Sequence, residues 1–204
     1  MTSADPVANL ATAYPVTDSD LDRLRARLAG AADVSGILDV AYRTIDTPVG
    51  SLLLAATPAG LVRVAFASEG LDDVLQQLAD RISPRVLAAP ARLDATARQV
   101  DEYFAGQRRS FDVPLDWQLS SGFRRTVLTH LAAEIGYGRT ASYSSLAALA
   151  GNPRAVRATG TACATNPIPV VVPCHRVIRL DGSPGRYRGG PEAKLALLGL
   201  ESRA

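Results

Sequence analysis

The sequence predicts an α+β protein in two parts. A small N-terminal mixed α/β domain with antiparallel strands precedes a mostly helical C-terminal domain carrying a helix-turn-helix. Three observations lead there. Residues 39 to 67 form a run rich in Val, Leu, Ile and Thr, broken at Pro48-Val49-Gly50 and Pro58-Ala59-Gly60. Beyond residue 117 the apolar residues recur at helical spacing. Two short helical stretches there are joined by Gly151-Asn152-Pro153, a glycine-containing turn of the kind that links DNA-binding helix pairs.

Residues 1–38 read as an appendage with one short helix. Thr17 and Asp20 have the spacing of a capping box, and Leu21, Leu24 and Leu28 follow at helical intervals. That leucine face is expected to pack on the next domain, residues 39–116. There the run DVAYRTIDTPVGSLLLAATPAGLVRVAFA gives three antiparallel strands joined by tight turns. One helix follows with Leu71, Val74, Leu75 and Leu78 on a face, and a second carries Leu93, Ala97, Val100 and Phe104. Phe111 to Leu115 reads as a short strand. No titratable groups cluster in this domain, so its expected role is scaffolding.

Residues 117–204 form the second domain. Phe123, Val127, Leu128, Leu131 and Ile135 make the stripe of a helix ended by Gly136 and Gly138. His130 borders that stripe, where a lone histidine is usually a surface or core-edge residue. Ser142 or Ser144 can cap a helix through Ala150, and a second helix is expected from about Arg154 to Ala164. It would carry Arg154 and Arg157 one turn apart on one face. Its small residues (Ala155, Ala158, Gly160, Ala162 and Ala164) would let the backbone approach a surface closely.

Composition narrows the function. The chain has 204 residues, of which 47% are hydrophobic and 21% charged, enough to bury a core. The net charge of +2 conceals a split: residues 1–150 carry −3 and residues 151–204 carry +5, so the last quarter is the part that attracts polyanions. A single lysine stands among the 22 basic residues. No apolar run approaches the roughly 20 residues of a membrane span, and the opening residues do not read as a signal peptide, so a cytoplasmic protein is expected. His130, Cys163, Cys174 and His175 lack zinc-ligand spacing, and a Cys163–Cys174 disulfide does not suit a reducing compartment. A free thiol needs an explanation.

The stretch NPIPVVVPCHRVI, from Asn166 to Ile178, is the most informative. Its β-branched run Ile168 to Val172, bracketed by prolines, suggests a buried extended segment that delivers Cys174 to a fixed position. An ordinary cysteine is only about 3% thiolate at pH 7, so a nucleophile needs a base or a positive field nearby. His175 and Arg176 follow directly, although neighbours in extended chain rarely face each other without a turn or a bridging water.

PCHRV, preceded by NP-x-P and followed by a glycine-tyrosine tract, resembles the O6-alkylguanine-DNA alkyltransferases (methylated-DNA–protein-cysteine methyltransferases). The resemblance runs from about Phe123 to Glu201 and takes in GRTASYSSLAALAGNPRAVRATG, NPIPVVVPCHRVI and DGSPGRYRGGPEAKLALLGLE. Residues 39–115 agree more loosely with that family's ribonuclease-H-like N-terminal domain, and residues 1–38 lie outside it.

The resemblance implies that Cys174 accepts the alkyl group, that His175 acts as base through a water, and that Glu201 orients and charge-stabilises His175. Asn166 is the implied hinge between recognition helix and active-site segment. Arg157 is the implied finger that replaces a flipped nucleotide, Tyr143 sits by the DNA backbone and the guanine N3 edge, and Tyr187 lines the pocket. Arg154, Ala155, Ala158, Pro169, Val177 and Arg188 complete the expected DNA and substrate surface. The implied partner is double-stranded DNA containing O6-alkylguanine, with O4-alkylthymine as a second lesion. The protein is expected to act as a monomer, once per molecule, without cofactor or metal, since nothing in such a site hydrolyses a thioether.

Some positions depart from the family pattern. Arg186 and Arg188 flank Tyr187 where small or uncharged residues are usual, which should either add phosphate contacts or narrow the pocket. Val156 and Thr159 are bulkier or more polar than usual in the recognition helix and are expected to alter groove fit, while Cys163 reads as a small packing residue. Two other classes compete. A Cys-His-Glu hydrolase or acyltransferase has no need of arginines on a helix-turn-helix ahead of its nucleophile. A DNA-binding regulator or sensor without chemistry has no need of Cys174.

Overall fold

The computed structural model describes residues 16–202. Residues 1–15, and with them the segment read against a signal peptide, lie outside the described residues. Three strands, β1 (Val40–Ile45), β2 (Leu52–Thr57) and β3 (Gly60–Phe66), form the expected antiparallel meander. A fourth strand the pattern did not reveal, β4 (Val86–Ala88), runs parallel to β1 and completes the order β3-β2-β1-β4. Three residues are too few to show a period.

Every residue of β2 is buried, because the sheet is covered on both faces. Leu53 and Ala55 face α2 (Leu71–Arg81), against Val74 and Leu78. Leu52, Leu54 and Ala56 face the opposite way, into a core shared with α3 (Asp94–Phe104) and with α4 (Gly122–Glu134) of the C-terminal half. The two halves are therefore joined through one hydrophobic core, and the sheet sits directly behind the chemistry.

Two expectations fail here. Phe111 to Leu115 is not a strand: it makes one parallel bridge, Leu61 to Leu115, with Leu61 N donating to Pro114 O at 2.8 Å. Pro114 has no N–H to extend a ladder. The leucine face of α1 (Asp18–Val34) does not pack inward either. Thr17 and Asp20 do form the capping box, but Leu21, Leu24 and Leu28 are 39%, 53% and 58% exposed. The helix docks through the small side chains of Ala29 and Ala32, beside Leu38, Ala41 and Ala89.

In the C-terminal half, α5 (Tyr143–Leu149) is capped by Ser142, whose hydroxyl accepts from Ser145 N at 3.0 Å. Gly151, at φ +79°, turns the chain toward α6 (Val156–Ala164) in a left-handed conformation that suits glycine. Arg154 lies in that turn rather than on the helix, because Ala155 is the N-cap. Arg154 and Arg157 therefore do not share a helical face. Thr159 is fully buried, its hydroxyl turned back to Ala155 O, so it is not part of the exposed surface of α6 and the expected effect on that surface fails. Two residues each of β5 (Ala141–Ser142) and β6 (Val177–Ile178) pair in parallel, and α7 (Gly190–Glu201) closes the fold. No helix among the described residues is long and apolar enough to cross a membrane.

Candidate active site

The segment from Ile168 to Val172 is not extended. It closes into a turn in which Val172 N donates to Ile168 O at 2.8 Å, with Val170 at φ +72°, a strained conformation for a β-branched residue. Asn166 holds this turn. Its Oδ1 accepts from Ile168 N at 3.0 Å, while its Nδ2 donates to Val172 O at 2.9 Å and to Cys174 Sγ at 3.1 Å. The residue expected to be a hinge is thus also a direct partner of the thiol.

Cys174, His175 and Arg176 then form one 3₁₀ turn, which turns all three side chains inward although they are consecutive. His175 has no exposed surface and Cys174 is 2% exposed. The His175 ring nitrogen Nε2 lies 2.9 Å from Glu201 Oε1, at the end of α7. An ionised carboxylate only accepts, so the proton is assigned to Nε2. That leaves the lone pair on Nδ1, which is buried and has no hydrogen-bond partner among the described residues.

Glu201 is the most heavily bonded side chain of the site. Besides His175 it accepts from Arg176 Nε at 2.8 Å, Arg176 Nη2 at 2.9 Å, Tyr103 Oη at 2.7 Å and Gly138 N at 3.2 Å. Burial alone would raise its carboxyl, but the bonds from His175 and Arg176 outweigh burial and hold it at about 2. Because Arg176 already neutralises much of that carboxylate, burial dominates at His175 and pushes its imidazole down, keeping it neutral. Burial pushes the Cys174 thiol up to about 11, opposed by the Asn166 bond and by the charges of Lys194 and Arg188. Lys194 is fully buried on α7, with Nζ donating to Val177 O at 2.6 Å. Arg176 offsets Glu201, so the charges left to favour a thiolate are those of Lys194 first and Arg188 second.

Matches to two family models cover most of the chain: residues 40–117 match the 6-O-methylguanine DNA methyltransferase ribonuclease-like domain, and residues 122–203 match the DNA-binding domain of the same family. The chain belongs to the 6-O-methylguanine DNA methyltransferase family. It is 38% identical over 152 residues to the inducible methylated-DNA–protein-cysteine methyltransferase of Bacillus subtilis, covering 74% of this chain and 84% of that one. It superposes on the Mycobacterium tuberculosis O6-methylguanine methyltransferase with a TM-score of 0.70 at 36% identity, over 80% of this chain and 93% of that one. The same enzyme in complex with DNA gives a TM-score of 0.69 with the same identity and coverage.

Around this methyltransferase's thiol the remaining expected residues divide into two groups. Arg157, Ala158 and Arg154 are exposed, and Ala155 is partly so. Tyr143, at the start of α5, is half-buried. Its ring lies beside Gly160 of α6, and its hydroxyl faces Gly185, where a Cβ would come within 2.9 Å of it. Tyr187 meets His175 edge-on at 6.3 Å and Phe66 at 5.7 Å, with its hydroxyl buried and unpartnered among the described residues. Pro169 and Val177 are buried, so neither presents a side chain to a partner: Pro169 belongs to the Asn166 turn, and Val177 pairs with Ala141. Arg188 is turned inward, with Nε 3.1 Å from Glu69 and Nη1 donating to Asn166 O at 3.3 Å.

Sequence reasoning missed three contributors, Tyr103, Phe66 and Lys194, and it placed Arg176 beside the thiol without its pairing to Glu201. Tyr103 and Phe66 belong to the half read as scaffolding, and only the fold brings them here. Lys194 did leave a signal, since it is the single lysine of the chain. A compact, fully buried ammonium stands here in a chain whose other basic residues are all arginine.

Proposed function

We propose that this protein reverses DNA alkylation directly, moving the alkyl group from O6-alkylguanine in duplex DNA to Cys174 Sγ. The observation that carries the reading is the chain of contacts from Glu201 to His175 and from Asn166 to Cys174, together with the unpartnered His175 Nδ1. That lone pair is suited to take the thiol proton through one water. The thiolate then attacks the alkyl carbon, the S–C bond forms as the C–O6 bond breaks, and the guanine anion leaves and takes up a proton. The half-buried Tyr143 hydroxyl, which faces Gly185, is suited to supply it.

The lesion must leave the base stack, at a cost of a few kcal/mol, to reach a thiol this deeply enclosed. Exposed Arg157 at the start of α6, beside small residues that permit close approach, is suited to occupy the space left in the duplex. The resulting thioether is stable, so each molecule reacts once. The protein acts as a cytoplasmic monomer, with O4-alkylthymine as a second substrate. A Cys-His-Glu hydrolase shares the triad, but its substrate would not require the family's DNA-binding domain.

Intact-mass measurement after mixing with a duplex carrying one O6-methylguanine tests this. The expected result is a gain of one methyl group per molecule, mapped to Cys174 and absent in Cys174→Ala. An unchanged mass, or repeated turnover of a thioester, overturns it.

A further inference from the structure

A second site lies away from the thiol. A cleft of about 190 Å³ opens between α2, the start of α4 and the Asn166–Pro167 turn, and four arginines line it: Arg63, Arg81, Arg124 and Arg188. They come from four separate elements, so the cluster is not a solvated helix face. Arg63 is only 4% exposed. Its Nη1 donates to Val64 O at 2.8 Å and to Pro167 O at 3.1 Å, and its Nη2 meets Glu69 Oε2 at 2.5 Å. Arg188 shares the same Glu69 carboxylate.

One carboxylate therefore serves two guanidinium groups. Arg124 donates only to the backbone carbonyl of Leu119, and Arg81 has no acidic partner among the described residues. Four guanidinium groups against the one Glu69 carboxylate leave a net charge of +3, and Gln77 adds an amide to the cleft wall. Like charges gathered this closely destabilise the fold unless an anion joins them. Guanidinium forks match the oxygens of a tetrahedral phosphate, and a surplus of three suits a dianion better than the single charge of a phosphodiester.

We propose that this cleft binds a dianionic phosphate, either inorganic phosphate or the terminal phosphate of a nucleotide. The bound group would tie α2 to α4 and to Arg188, whose other bond holds the Asn166 carbonyl. Phosphate occupancy would thus brace the turn that carries Cys174.

Inorganic phosphate titrated into the full chain at constant ionic strength tests this, read by thermal unfolding and by calorimetry. The expected result is a saturable rise in Tm of roughly 2–4 °C at about five times Kd. Arg81→Gln and Arg124→Gln should each weaken binding about tenfold or more, and Arg139→Gln, outside the cleft, should leave it unchanged. Adenosine monophosphate competing for the same site would identify a nucleotide's terminal phosphate as a second source, whereas no competition restricts the site to inorganic phosphate. Stabilisation equal in the Arg81 and Arg124 variants, or reproduced by chloride, overturns the proposal. So does a third outcome: undamaged duplex abolishing the phosphate effect while each variant lowers the salt slope of duplex binding by about one, which would make the cleft a DNA-backbone contact.

Discussion

Tyr103 Oη donates to Glu201 Oε1 across 2.7 Å, so a helix from the sheet-bearing half completes a carboxylate held by the last helix of the other. Both side chains are buried, and the bond is charge-assisted, which makes it worth about 1.5–3 kcal/mol. Tyr103→Phe should lower the unfolding free energy by roughly that amount in urea titrations. Single-turnover alkyl transfer should slow as well, but by less than in His175→Ala, because Glu201 keeps its bonds to His175 and Arg176.

Lys194 supplies positive charge to a thiol that burial disfavours as thiolate. Lys194→Met removes the charge while keeping most of the side-chain volume. The transfer rate at pH 7 should fall by about tenfold or more, with partial recovery as pH rises toward 9, while duplex affinity stays near that of the parent. Each tenfold corresponds to about 1.4 kcal/mol. A rate loss equal at all pH values would mean that Lys194 acts through packing alone.

Stability should depend on pH in a set direction. Folding pushes His175 below its ordinary 6.5, so between pH 6.5 and the folded value the unfolded chain binds a proton that the native one does not. Stability conferred by the neutral imidazole is therefore present above pH 6.5 and is lost as pH falls below it. Glu201, held at about 2 against an ordinary 4.5, adds a second loss between those values. Urea unfolding from pH 7 to pH 3 should show both losses, and His175→Gln should remove the first and reduce the second, because His175 is one of the groups that hold Glu201 down.

Arg157 is exposed on α6 and makes no side-chain hydrogen bond among the described residues. Arg157→Ala should slow repair of O6-methylguanine in a duplex by about tenfold or more, yet leave reaction with a free O6-alkylguanine base nearly unchanged. Comparing the two single-turnover rates decides it, since equal losses would exclude a role in extruding the nucleotide.

Much of this was legible because local chemistry leaves local marks. The capping box at Thr17, the glycine turns at Gly50 and Gly60, and the helix pair around Gly151 each follow from a few adjacent residues. Cys174 and His175 are neighbours in the chain, and the family resemblance extended the group to Glu201. What stayed hidden depends on distance along the chain. Tyr103 and Glu201 are 98 residues apart, and nothing near either marks the partnership. The outward leucines of α1 misled for a related reason: periodicity defines a face, but whether a neighbour exists to cover it is decided elsewhere. The turn at Val170 ran against the local signal, since a β-branched run favours extended chain and the turn is held by the bonds of Asn166 and by Val172 N on Ile168 O.

Glu201 sits in the last helix described, and this bears on the order of events during synthesis. A ribosome releases Cys174 and His175 before the carboxylate that fixes the imidazole, and it releases Tyr103 long before either. Until α7 docks, the histidine has no fixed tautomer and Arg176 has no anion to meet. The reagent is thus withheld during the interval when an exposed, activated thiol would be most open to stray electrophiles. If each molecule reacts once, as proposed, a carboxylate that arrives last protects the one event it has.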